Sequence, residues 1–264
     1  MNTFWILMIV ALVISAAGFY KFIYFISLGY GFSIAAIGIA LLALYRGNMS
    51  AISVLQSLLF IAYGCRLGGF LLKRELQSAS YRDKMKKETK DGSDMKLFVK
   101  IAIWVTCALL YVCEVSPVLF RLQNGKSTDG LQVIGFVISL VGLITESLAD
   151  LQKSVAKKQN PNRFVDTGLY QIVRCPNYLG EVLFWTGVFV SGAGVLSGGL
   201  QWAAALFGYI GIVYIMFGGA RRLELRQNRT YGEDPAYQKY VKSVPILIPF
   251  VPLYSVAKYR WLVG

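Results

Sequence analysis

The first 44 residues, MNTFWILMIVALVISAAGFYKFIYFISLGYGFSIAAIGIALLAL, contain one charged side chain, Lys21. About 20 consecutive apolar residues cross the hydrocarbon core of a bilayer, so this stretch is long enough for two successive helices. It lacks the basic start of a signal peptide and leads straight into a second apolar run. We therefore expect residues 3–20 to be a first membrane span and not a cleaved leader.

The composition also predicts a membrane protein. Of the 264 residues, 56% are hydrophobic and 16% are charged, whereas charged residues make up roughly 25% of an ordinary soluble domain. The mean hydropathy of +0.53 and the repeated apolar runs favour a single all-α integral membrane domain over residues 1–264. We place seven transmembrane helices near residues 3–20, 23–44, 51–72, 98–119, 131–152, 178–196 and 199–219.

The net charge of +13 is explained by membrane topology. Positive side chains gather in the loops at 73–96 and 153–174 and in the tail after Arg221. Because Lys and Arg are retained on the cytosolic side, seven spans predict an outside N-terminus and a cytosolic C-terminus. We expect these segments to contact anionic membrane lipids. No aromatic-rich basic patch indicates nucleic-acid binding, and no obligate protein partner is evident.

The tail continues beyond the last predicted span. Residues 221–254 begin as a polar helix, and residues 246–257 are too short and too interrupted by proline to cross a bilayer. Tyr and Trp side chains favour the headgroup region. We expect a cytosolic C-terminal helix followed by an interfacial tail, with Tyr254, Tyr259 and Trp261 at headgroup level.

The residue types restrict the possible chemistry. The chain has no histidine, so it lacks the most common general acid–base residue and transition-metal ligand. Its cysteines form no CxxC pair, and three of them lie in apolar segments, so neither a disulfide framework nor a metal site is predicted. Proton chemistry must use Tyr, Lys, Cys, Asp or Glu.

Four ionisable residues follow the helical period at the end of the fifth predicted span. Such side chains are costly at bilayer depth and often mark function. Their spacing places them on one helix face, and they are Glu146, Asp150, Lys153 and Lys157. They can form ion pairs at a membrane boundary, or they can line a polar cavity in which carboxylates bind ribose or amide groups and lysines bind phosphate.

The stretch VRCPNYLGEVLFW, residues 173–185, joins a basic loop to the sixth predicted span. Its proline suits a helix start, and the N–H groups of that start, beside Arg174, suit an anion. Asn177 and Tyr178 supply directional polar contacts, and Glu181 lies one turn into the span. The pattern fits a capped span, but a buried glutamate favours a binding site.

The tail carries a cluster of basic, acidic and aromatic residues. Arginine is the preferred residue for bidentate phosphate recognition. Positive-inside anchoring explains any single arginine, but it does not explain a glutamate among them. The candidate binding residues here are Arg221, Arg222, Glu224, Arg226, Tyr231 and Tyr237.

The third predicted span contains a candidate proton donor. Tyr63 and Arg66 share a helix face, and Gln56 lies two turns before Tyr63 on about the same face. A lone tyrosine in a span is usually a packing residue or an interfacial anchor. An arginine one turn away, however, favours a phenol that gives up its proton.

Several of these elements together resemble the steroid 5α-reductase family. They are ADLQK at 149–153, Gly168-Leu169-Tyr170, CPNYLGE at 175–181, and the late R-x-x-E with Tyr-Gly before LIPF. They cover roughly half of the chain, and the chain looks most like a bacterial branch of membrane proteins of unknown function. A bacterial inner membrane is therefore expected ahead of the endoplasmic reticulum.

The resemblance implies a seven-span bundle that holds NADPH and takes a lipophilic substrate from the bilayer. Residues 1–120 would supply substrate-side spans and residues 121–264 the cofactor-binding half. The resemblance matches Tyr63 to the tyrosine that protonates the substrate. It assigns to the cofactor Asp150, Lys157, Arg163, Tyr170, Asn177, Glu181, Arg221, Glu224 and Tyr237.

One departure from the family concerns the substrate. Members that reduce steroids carry a Gln-Glu pair on the second span that supports the tyrosine and binds the substrate carbonyl. Residues 1–50 of this chain contain neither Glu nor Gln. Gln56 or Glu114 could take that place, and the departure weakens the case for a 3-oxo steroid as the natural substrate.

The leading hypothesis is reduction of an activated carbon–carbon double bond by NADPH, with Tyr63 as proton donor. An isoprenylcysteine-type membrane methyltransferase that uses S-adenosylmethionine is the alternative, because it shares a Pro-x-Tyr-x-Gly element and an R-x-x-E region. Those enzymes carry Arg-His-Pro and paired glutamates, whereas this chain has Arg174-Cys175-Pro176 and Glu224-Leu225. A third hypothesis is a non-catalytic lipid-binding protein.

Overall fold

The computed structural model describes residues 2–77 and 95–263. Within these ranges the chain is helical and contains no strand, which confirms the predicted all-α class. The helices are α1 (Asn2–Ser15), α2 (Leu28–Leu44), α3 (Ala51–Gln77), α4 (Leu97–Gln123), α5 (Gly130–Gln159), α6 (Pro176–Ala193), α7 (Gly198–Tyr231) and α8 (Pro235–Ser243). Short 3-10 turns cover Ala16–Phe19, Phe22–Phe25 and Gly168–Gln171. Most of the basic loop predicted at 73–96 lies outside the described residues.

Six helical segments in the described ranges are long and apolar enough to cross a membrane, so the chain is a multi-pass integral membrane protein. They are Asn2–Phe19, Phe22–Leu44, Ala51–Lys73, Leu97–Gln123, Gly130–Gln159 and Gly198–Tyr231. The remaining predicted span, 178–196, corresponds to α6. That helix opens with Pro176, Asn177 and Tyr178 and carries Glu181, so it is less apolar than the six. The seventh crossing stays a prediction.

The chain divides into two compact units. Unit 1 contains Met1–Val133 and Phe189–Gly208, and unit 2 contains Ile134–Val188 and Tyr209–Gly264. The predicted division into substrate-side spans over residues 1–120 and a cofactor-binding half over residues 121–264 stays a prediction.

Unit 1 is organised around a close crossing of α2 and α3. A Cβ added to Gly64 would lie 2.2 Å from the carbonyl oxygen of Gly31 and 2.6 Å from the backbone nitrogen of Ala35. Both neighbours are backbone atoms that cannot turn aside, so only glycine allows this approach. The crossing brings the larger side chains beside these glycines into contact across the two helices.

A second feature of unit 1 is the buried guanidinium of Arg121, which is 1% exposed. Its Nε donates to the carbonyl oxygen of Ser191 at 2.9 Å, its Nη1 to that of Ser127 at 2.7 Å, and its Nη2 to Asp129 Oδ2 at 2.7 Å. Burial acts to raise the pKa of Asp129, but the hydrogen bonds from Arg121 and from the backbone outweigh it and lower the pKa. Arg121 therefore stabilises the turn that precedes α5.

In unit 2, α5 and α6 also pack through a glycine. A Cβ on Gly180 would lie 2.6 Å from the backbone nitrogen of Glu146 and 2.7 Å from its Cβ. The two helices therefore meet where the predicted acidic stripe on α5 begins and where the CPNYLGE motif lies on α6.

The C-terminal segment folds back onto the start of α6. The backbone N–H of Arg174 donates to the carbonyl oxygen of Pro245 at 2.8 Å, and that of Cys175 donates to the carbonyl oxygen of Ile246 at 3.0 Å. Buried apolar side chains complete the contact, namely Cys175, Ala220, Leu223, Ile246, Leu247, Val256 and Leu262. By contrast, Phe250 at the tip of this segment is 99% exposed and has a φ of 64°.

Candidate functional site

The candidate proton donor lies in a buried pair of tyrosine hydroxyls in unit 1. Tyr63 on α3 is 0% exposed, and its hydroxyl donates to that of Tyr30 on α2 at 2.9 Å. Tyr30 is one residue from Gly31, so the close crossing of α2 and α3 sets the approach of the two rings. The hydroxyl of Tyr63 is therefore held in a defined position among apolar side chains.

A third tyrosine fixes Tyr30 from another helix. Tyr111 on α4 places its ring centroid 5.1 Å from that of Tyr30, and its hydroxyl donates to the carbonyl oxygen of Phe25. The sequence analysis missed Tyr30 and Tyr111. The available signal was a tyrosine between two glycines, Gly29 and Gly31, inside a span, because such glycines mark a close helix contact.

The other two residues predicted to act with Tyr63 also lie on α3. Gln56 is 0% exposed, and neither atom of its amide group finds a hydrogen-bond partner among the described residues. Arg66 is half-buried. Glu114 on α4 is 3% exposed and lies one turn after Tyr111. The structure thus places the polar groups of this region at buried or half-buried positions on α2, α3 and α4.

The predicted stripe on α5 extends from a buried to an accessible environment. Glu146 is 4% exposed, whereas Asp150, Lys153 and Lys157 are half-buried. Lys157 Nζ donates to the Tyr231 hydroxyl at 3.0 Å and to the carbonyl oxygen of Arg163 at 2.6 Å. Lys157 therefore joins α5 to the end of α7.

The start of α6 brings further predicted residues together. Glu181 is 5% exposed and accepts a hydrogen bond from Trp185 Nε1 at 3.2 Å. Asn177 Oδ1 is buried and has no partner within the described part of the chain. The ring of Tyr178 lies against Gly219 on α7.

An ion pair that the sequence analysis did not predict lies beside this helix start. Arg174 Nη2 donates to Glu224 Oε1 at 3.0 Å, with the two side chains 1% and 3% exposed. Glu224 Oε2 also accepts the backbone N–H of Val256 at 2.9 Å, and Arg174 donates to the carbonyl oxygen of Tyr254. The Nε and Nη1 atoms of Arg174 are buried without a partner among the described residues. The sequence feature that could have indicated this ion pair is the glutamate among the arginines of the tail.

The other tail residues divide between structural contacts and accessible positions. Arg221 donates to the carbonyl oxygens of Ala257 at 3.1 Å and Leu262 at 3.4 Å, so it holds the C-terminal segment. Arg222 and Arg226 are exposed. The Tyr237 hydroxyl donates to Asn228 Oδ1 at 2.7 Å.

Two more predicted residues lie in the segment between α5 and α6. The Tyr170 hydroxyl donates to the carbonyl oxygen of Ala149 at 3.3 Å. Arg163 pairs with Asp166 at 2.6 Å, where the arginine side chain is 49% exposed. Arg163 is therefore accessible, while Tyr170 is a buried contact.

Burial controls the titration of the groups around the ion pair. It raises the pKa of Cys175 to about 12, against a smaller opposing effect of Arg174. It also raises the pKa of Tyr237 to about 12. Because a neutral thiol is a poor nucleophile, Cys175 is a packing residue at neutral pH.

A cleft of about 330 Å³ opens beside the ion pair. It is lined by Glu224, Asn228, Val241, Lys242, Tyr254 and Ser255. This volume is at the lower end of the range of ligand pockets. The cleft thus offers a carboxylate, an amide and an ammonium group to a polar ligand.

These features define a multi-pass helical membrane protein with a buried tyrosine pair in unit 1 and a charged, partly open region in unit 2. The chain belongs to the family described as "Protein of unknown function (DUF1295)", whose profile matches residues 11–244. This membership and the relatives below confirm the resemblance to the steroid 5α-reductase family.

Three curated relatives share part of the chain. The steroid 5-alpha-reductase DET2 of Gossypium hirsutum is 26% identical over 120 residues, which cover 44% of this chain and 41% of the relative. The DET2 of Arabidopsis thaliana is 25% identical over 122 residues, 45% of this chain and 41% of the relative. The probable O-methyltransferase ustE of Ustilaginoidea virens is 28% identical over 93 residues, 34% of this chain and 33% of the relative.

The matched segments span about a third to two fifths of the length of these relatives. No solved structure is significantly similar to the chain. The similarities support a family of membrane reductases or methyltransferases.

Proposed function

We propose that this protein is a membrane-embedded, NADPH-dependent reductase of an activated carbon–carbon double bond in a lipid-soluble substrate. The observation that carries the proposal is the Tyr63 hydroxyl, which is fully buried and hydrogen-bonded to Tyr30 at 2.9 Å. A buried phenol held in this way suits proton donation to a carbonyl oxygen that gains negative charge. The similarity to two plant steroid 5-alpha-reductases agrees with this chemistry.

The residues of unit 2 fit the chemistry of the cofactor. Two buried nitrogen atoms of Arg174, Nε and Nη1, have no hydrogen-bond partner among the described residues, and a guanidinium is well suited to phosphate. Asn177 Oδ1 is a buried acceptor suited to an amide N–H. Other residues proposed to bind the cofactor are Glu146, Asp150, Lys153, Lys157, Arg163, Tyr170, Tyr178, Glu181, Arg221, Arg222, Glu224, Arg226, Tyr231 and Tyr237.

NADPH, when bound, would supply the hydride that the β carbon of the double bond accepts. As that bond forms, the π electrons shift toward the carbonyl oxygen, and Tyr63 donates its proton to this oxygen. The resulting enol returns its O–H proton to the Tyr63 oxygen as the α carbon takes up a proton that comes from solvent, so the net reaction consumes NADPH and one proton. The apolar side chains around Tyr63 would keep water away from the hydride transfer itself.

The proposal includes a topology. Seven spans, with α6 as the additional crossing, would place the N-terminus outside and the basic segments and C-terminus in the cytosol. The substrate would come from the bilayer, the segments rich in Lys and Arg would contact anionic lipids, and the family resemblance favours a bacterial inner membrane.

Thermal denaturation of the detergent-purified protein with NADPH, NADH or S-adenosylmethionine tests the cofactor. A ligand that binds the folded state at a hundred times its Kd stabilises it by about 2.7 kcal/mol. We expect a concentration-dependent rise in Tm with NADPH. The variant Asn177→Leu should weaken the rise, while Gln159→Leu, at the exposed end of α5, should not.

The second candidate function is methyl transfer from S-adenosylmethionine, which the similarity to a probable O-methyltransferase favours. In the same experiment it predicts a rise in Tm with S-adenosylmethionine alone. That result would contradict the reductase proposal.

A further inference from the structure

The C-terminal segment after α8 follows α7 from its polar end toward its apolar part. Near the polar end, the backbone N–H of Val256 donates to Glu224 Oε2 at 2.9 Å. Ten residues earlier in α7, which is roughly 15 Å along the helix axis, the Tyr214 hydroxyl donates to the carbonyl oxygen of Trp261 at 2.6 Å. Trp261 is 65% exposed, and tryptophan favours the boundary between membrane and water. The C-terminal segment is therefore positioned to meet lipid headgroups and the upper part of their acyl chains.

An apolar cleft of about 420 Å³ lies where this segment folds back onto the start of α6. Its apolar lining consists of Ile172, Pro245, Phe250, Val251 and Pro252. Ile172 and Val251 are both exposed, so the cleft presents its apolar surface outward. Covering such a surface with hydrocarbon is favourable. Most of this lining follows residue 244, where the match to the family profile ends.

Phe250, at the edge of the apolar cleft, has an unusual backbone conformation. Its φ of 64° lies in the left-handed region, which is unfavourable for a bulky residue and unstrained for glycine. The side chain is 99% exposed, so contacts within the protein do not offset the strain. Strained backbone positions often occur at ligand-binding sites. The phenyl ring is therefore held where an external apolar partner can cover it.

A polar cleft adjoins the apolar one. The cleft of about 330 Å³ beside the ion pair shares Tyr254 with it, and the consecutive residues Lys242 and Ser243 of α8 line the polar and the apolar cleft respectively. Lys242 is exposed and forms no ion pair within the described part of the chain. Glu224 also lines the polar cleft, but its carboxylate is neutralised by Arg174. The polar cleft therefore carries a net positive charge next to an apolar surface.

We propose that the two clefts together bind one anionic phospholipid. The phosphate lies in the polar cleft near Lys242, and an acyl chain lies in the apolar cleft against Phe250. The hydroxyls of Ser243 and Tyr254, between the two, can donate hydrogen bonds to the ester oxygens of the lipid. The site holds a single lipid in a defined position, which distinguishes it from the general attraction of basic segments to anionic membranes. It does not depend on the proposed reductase activity.

Native mass spectrometry of the full chain in detergent tests this site. The probes are palmitoyl-oleoyl-phosphatidylglycerol, the zwitterionic phosphatidylcholine with the same chains, and glycerol phosphate, which has the anionic group without an acyl chain. We expect saturable binding of one phosphatidylglycerol per chain and about fivefold weaker binding of phosphatidylcholine, the difference that one lysine near a membrane surface provides. Glycerol phosphate should not bind at the lipid concentrations used.

Two variants separate the contributions of the polar and the apolar cleft. Lys242→Gln should remove the preference for phosphatidylglycerol, whereas the control Lys239→Gln should keep it, because Lys239 is exposed on the same helix and lines neither cleft. Phe250→Gly should weaken the binding of both lipids by about tenfold. It should also leave the Tm of the lipid-free protein unchanged or raise it, since glycine adopts this φ without strain. Val263→Gly, at an exposed apolar position outside both clefts, should bind lipid like the wild type.

Several results would overturn the proposal. They are a wild type that binds neither lipid or both equally, a Lys242→Gln variant that keeps the preference, and a Phe250→Gly variant that binds both lipids like the wild type. Binding of glycerol phosphate as tight as that of phosphatidylglycerol would instead show a site for free phosphate. A lipid-free dimer that Phe250→Gly abolishes would assign the apolar cleft to a second copy of the chain. If Phe250→Gly fails to fold, Val251→Ser tests the same cleft and should also weaken the binding of both lipids.

Discussion

Two buried polar pairs, one in each unit, are stabilised by different interactions. In unit 1 the Tyr63 hydroxyl is held by another neutral group, because the hydroxyls of Tyr63 and Tyr30 are paired at 2.9 Å where α2 and α3 cross. In unit 2 the buried groups are charged, and Arg174 and Glu224 are paired at 3.0 Å while both contact the C-terminal segment. A neutral pair can exchange its hydrogen bond for one to a ligand at little electrostatic cost, whereas a buried ion pair cannot be opened cheaply.

This difference assigns separate roles to the two units. The tyrosine pair suits a step in which a proton moves. The ion pair suits the fixing of the C-terminal segment against α6 and α7, and the Nε and Nη1 atoms of Arg174 have no hydrogen-bond partner among the described residues.

The largest effect is expected from breaking the ion pair. In Glu224→Ala the guanidinium of Arg174 stays buried without its carboxylate, and the Val256 N–H loses its acceptor. Removing one partner of a buried pair costs about 3–5 kcal/mol. Thermal denaturation followed by circular dichroism should show a marked fall in Tm. The control Glu233→Ala, at an exposed position, should melt like the wild type.

The double variant Arg174→Met/Glu224→Leu sharpens this result. Apolar replacement of both partners removes the unpaired charge, so much of the lost stability should return. A Glu224→Ala variant as stable as Glu233→Ala would show that the pair does not hold the tail.

The second prediction concerns the neutral pair and rests on the proposed function. Tyr63→Phe removes the hydroxyl and leaves the ring, so the rate of NADPH oxidation with a conjugated ketone should fall by about 100-fold or more. The rise in Tm with NADPH should remain. Tyr111→Phe is the matched control, because the Tyr111 hydroxyl contacts a backbone carbonyl. Equal rates in the two variants would show that the Tyr63 hydroxyl is not the proton donor.

The sequence predicted the helical class well because apolar runs of about 20 residues leave few alternatives. It also marked Tyr63, Asn177, Glu181 and Glu224 as unusual, since polar groups within or beside a span need partners. It did not predict Tyr30 as the partner of Tyr63. That contact depends on the register of α2 against α3, which small residues set and which periodicity within one helix does not reveal.

The ion pair was missed for a related reason. Arg174 and Glu224 are 50 residues apart, and the sequence placed Arg174 at an anion site and Glu224 among phosphate-binding arginines. Which positive group a buried glutamate contacts depends on how the tail folds back, through hydrogen bonds such as that from Cys175 N–H to Ile246.

The third prediction tests the crossing that creates the tyrosine pair. In Gly64→Ala the new Cβ would lie 2.2 Å from the carbonyl oxygen of Gly31, so α2 and α3 must separate. Overpacking of this kind costs about 1–3 kcal/mol, and Tm should fall. Gly69→Ala on the same helix meets nothing within 4 Å, so it should leave Tm unchanged or raise it. If both variants have the same Tm, α2 and α3 do not pack as closely at Gly64 as the structure shows.

The smallest effect concerns the one charged contact that we describe in unit 1, Arg121 with Asp129. The pKa of Asp129 is lowered from 3.8 in the folded state. A carboxyl group with a lowered folded pKa adds stability above its unfolded pKa, and this contribution is lost as the pH falls through the folded pKa. The Asp129 side chain is 42% exposed, so solvent screening keeps the contribution small.

The variant Asp129→Asn should therefore melt slightly below the wild type at pH 7, and the difference should shrink as the pH falls below the ordinary pKa of 3.8 and through the lowered folded pKa. Tm measured for both proteins across this range provides the test. A difference in Tm that does not change as the pH is lowered through this range would mean that the Asp129 side chain acts through neutral hydrogen bonds, such as that from the Gln132 N–H at 2.8 Å. Neutral hydrogen bonds would then stabilise unit 1 at this turn as well as at its tyrosine pair, in contrast to the ion pair of unit 2.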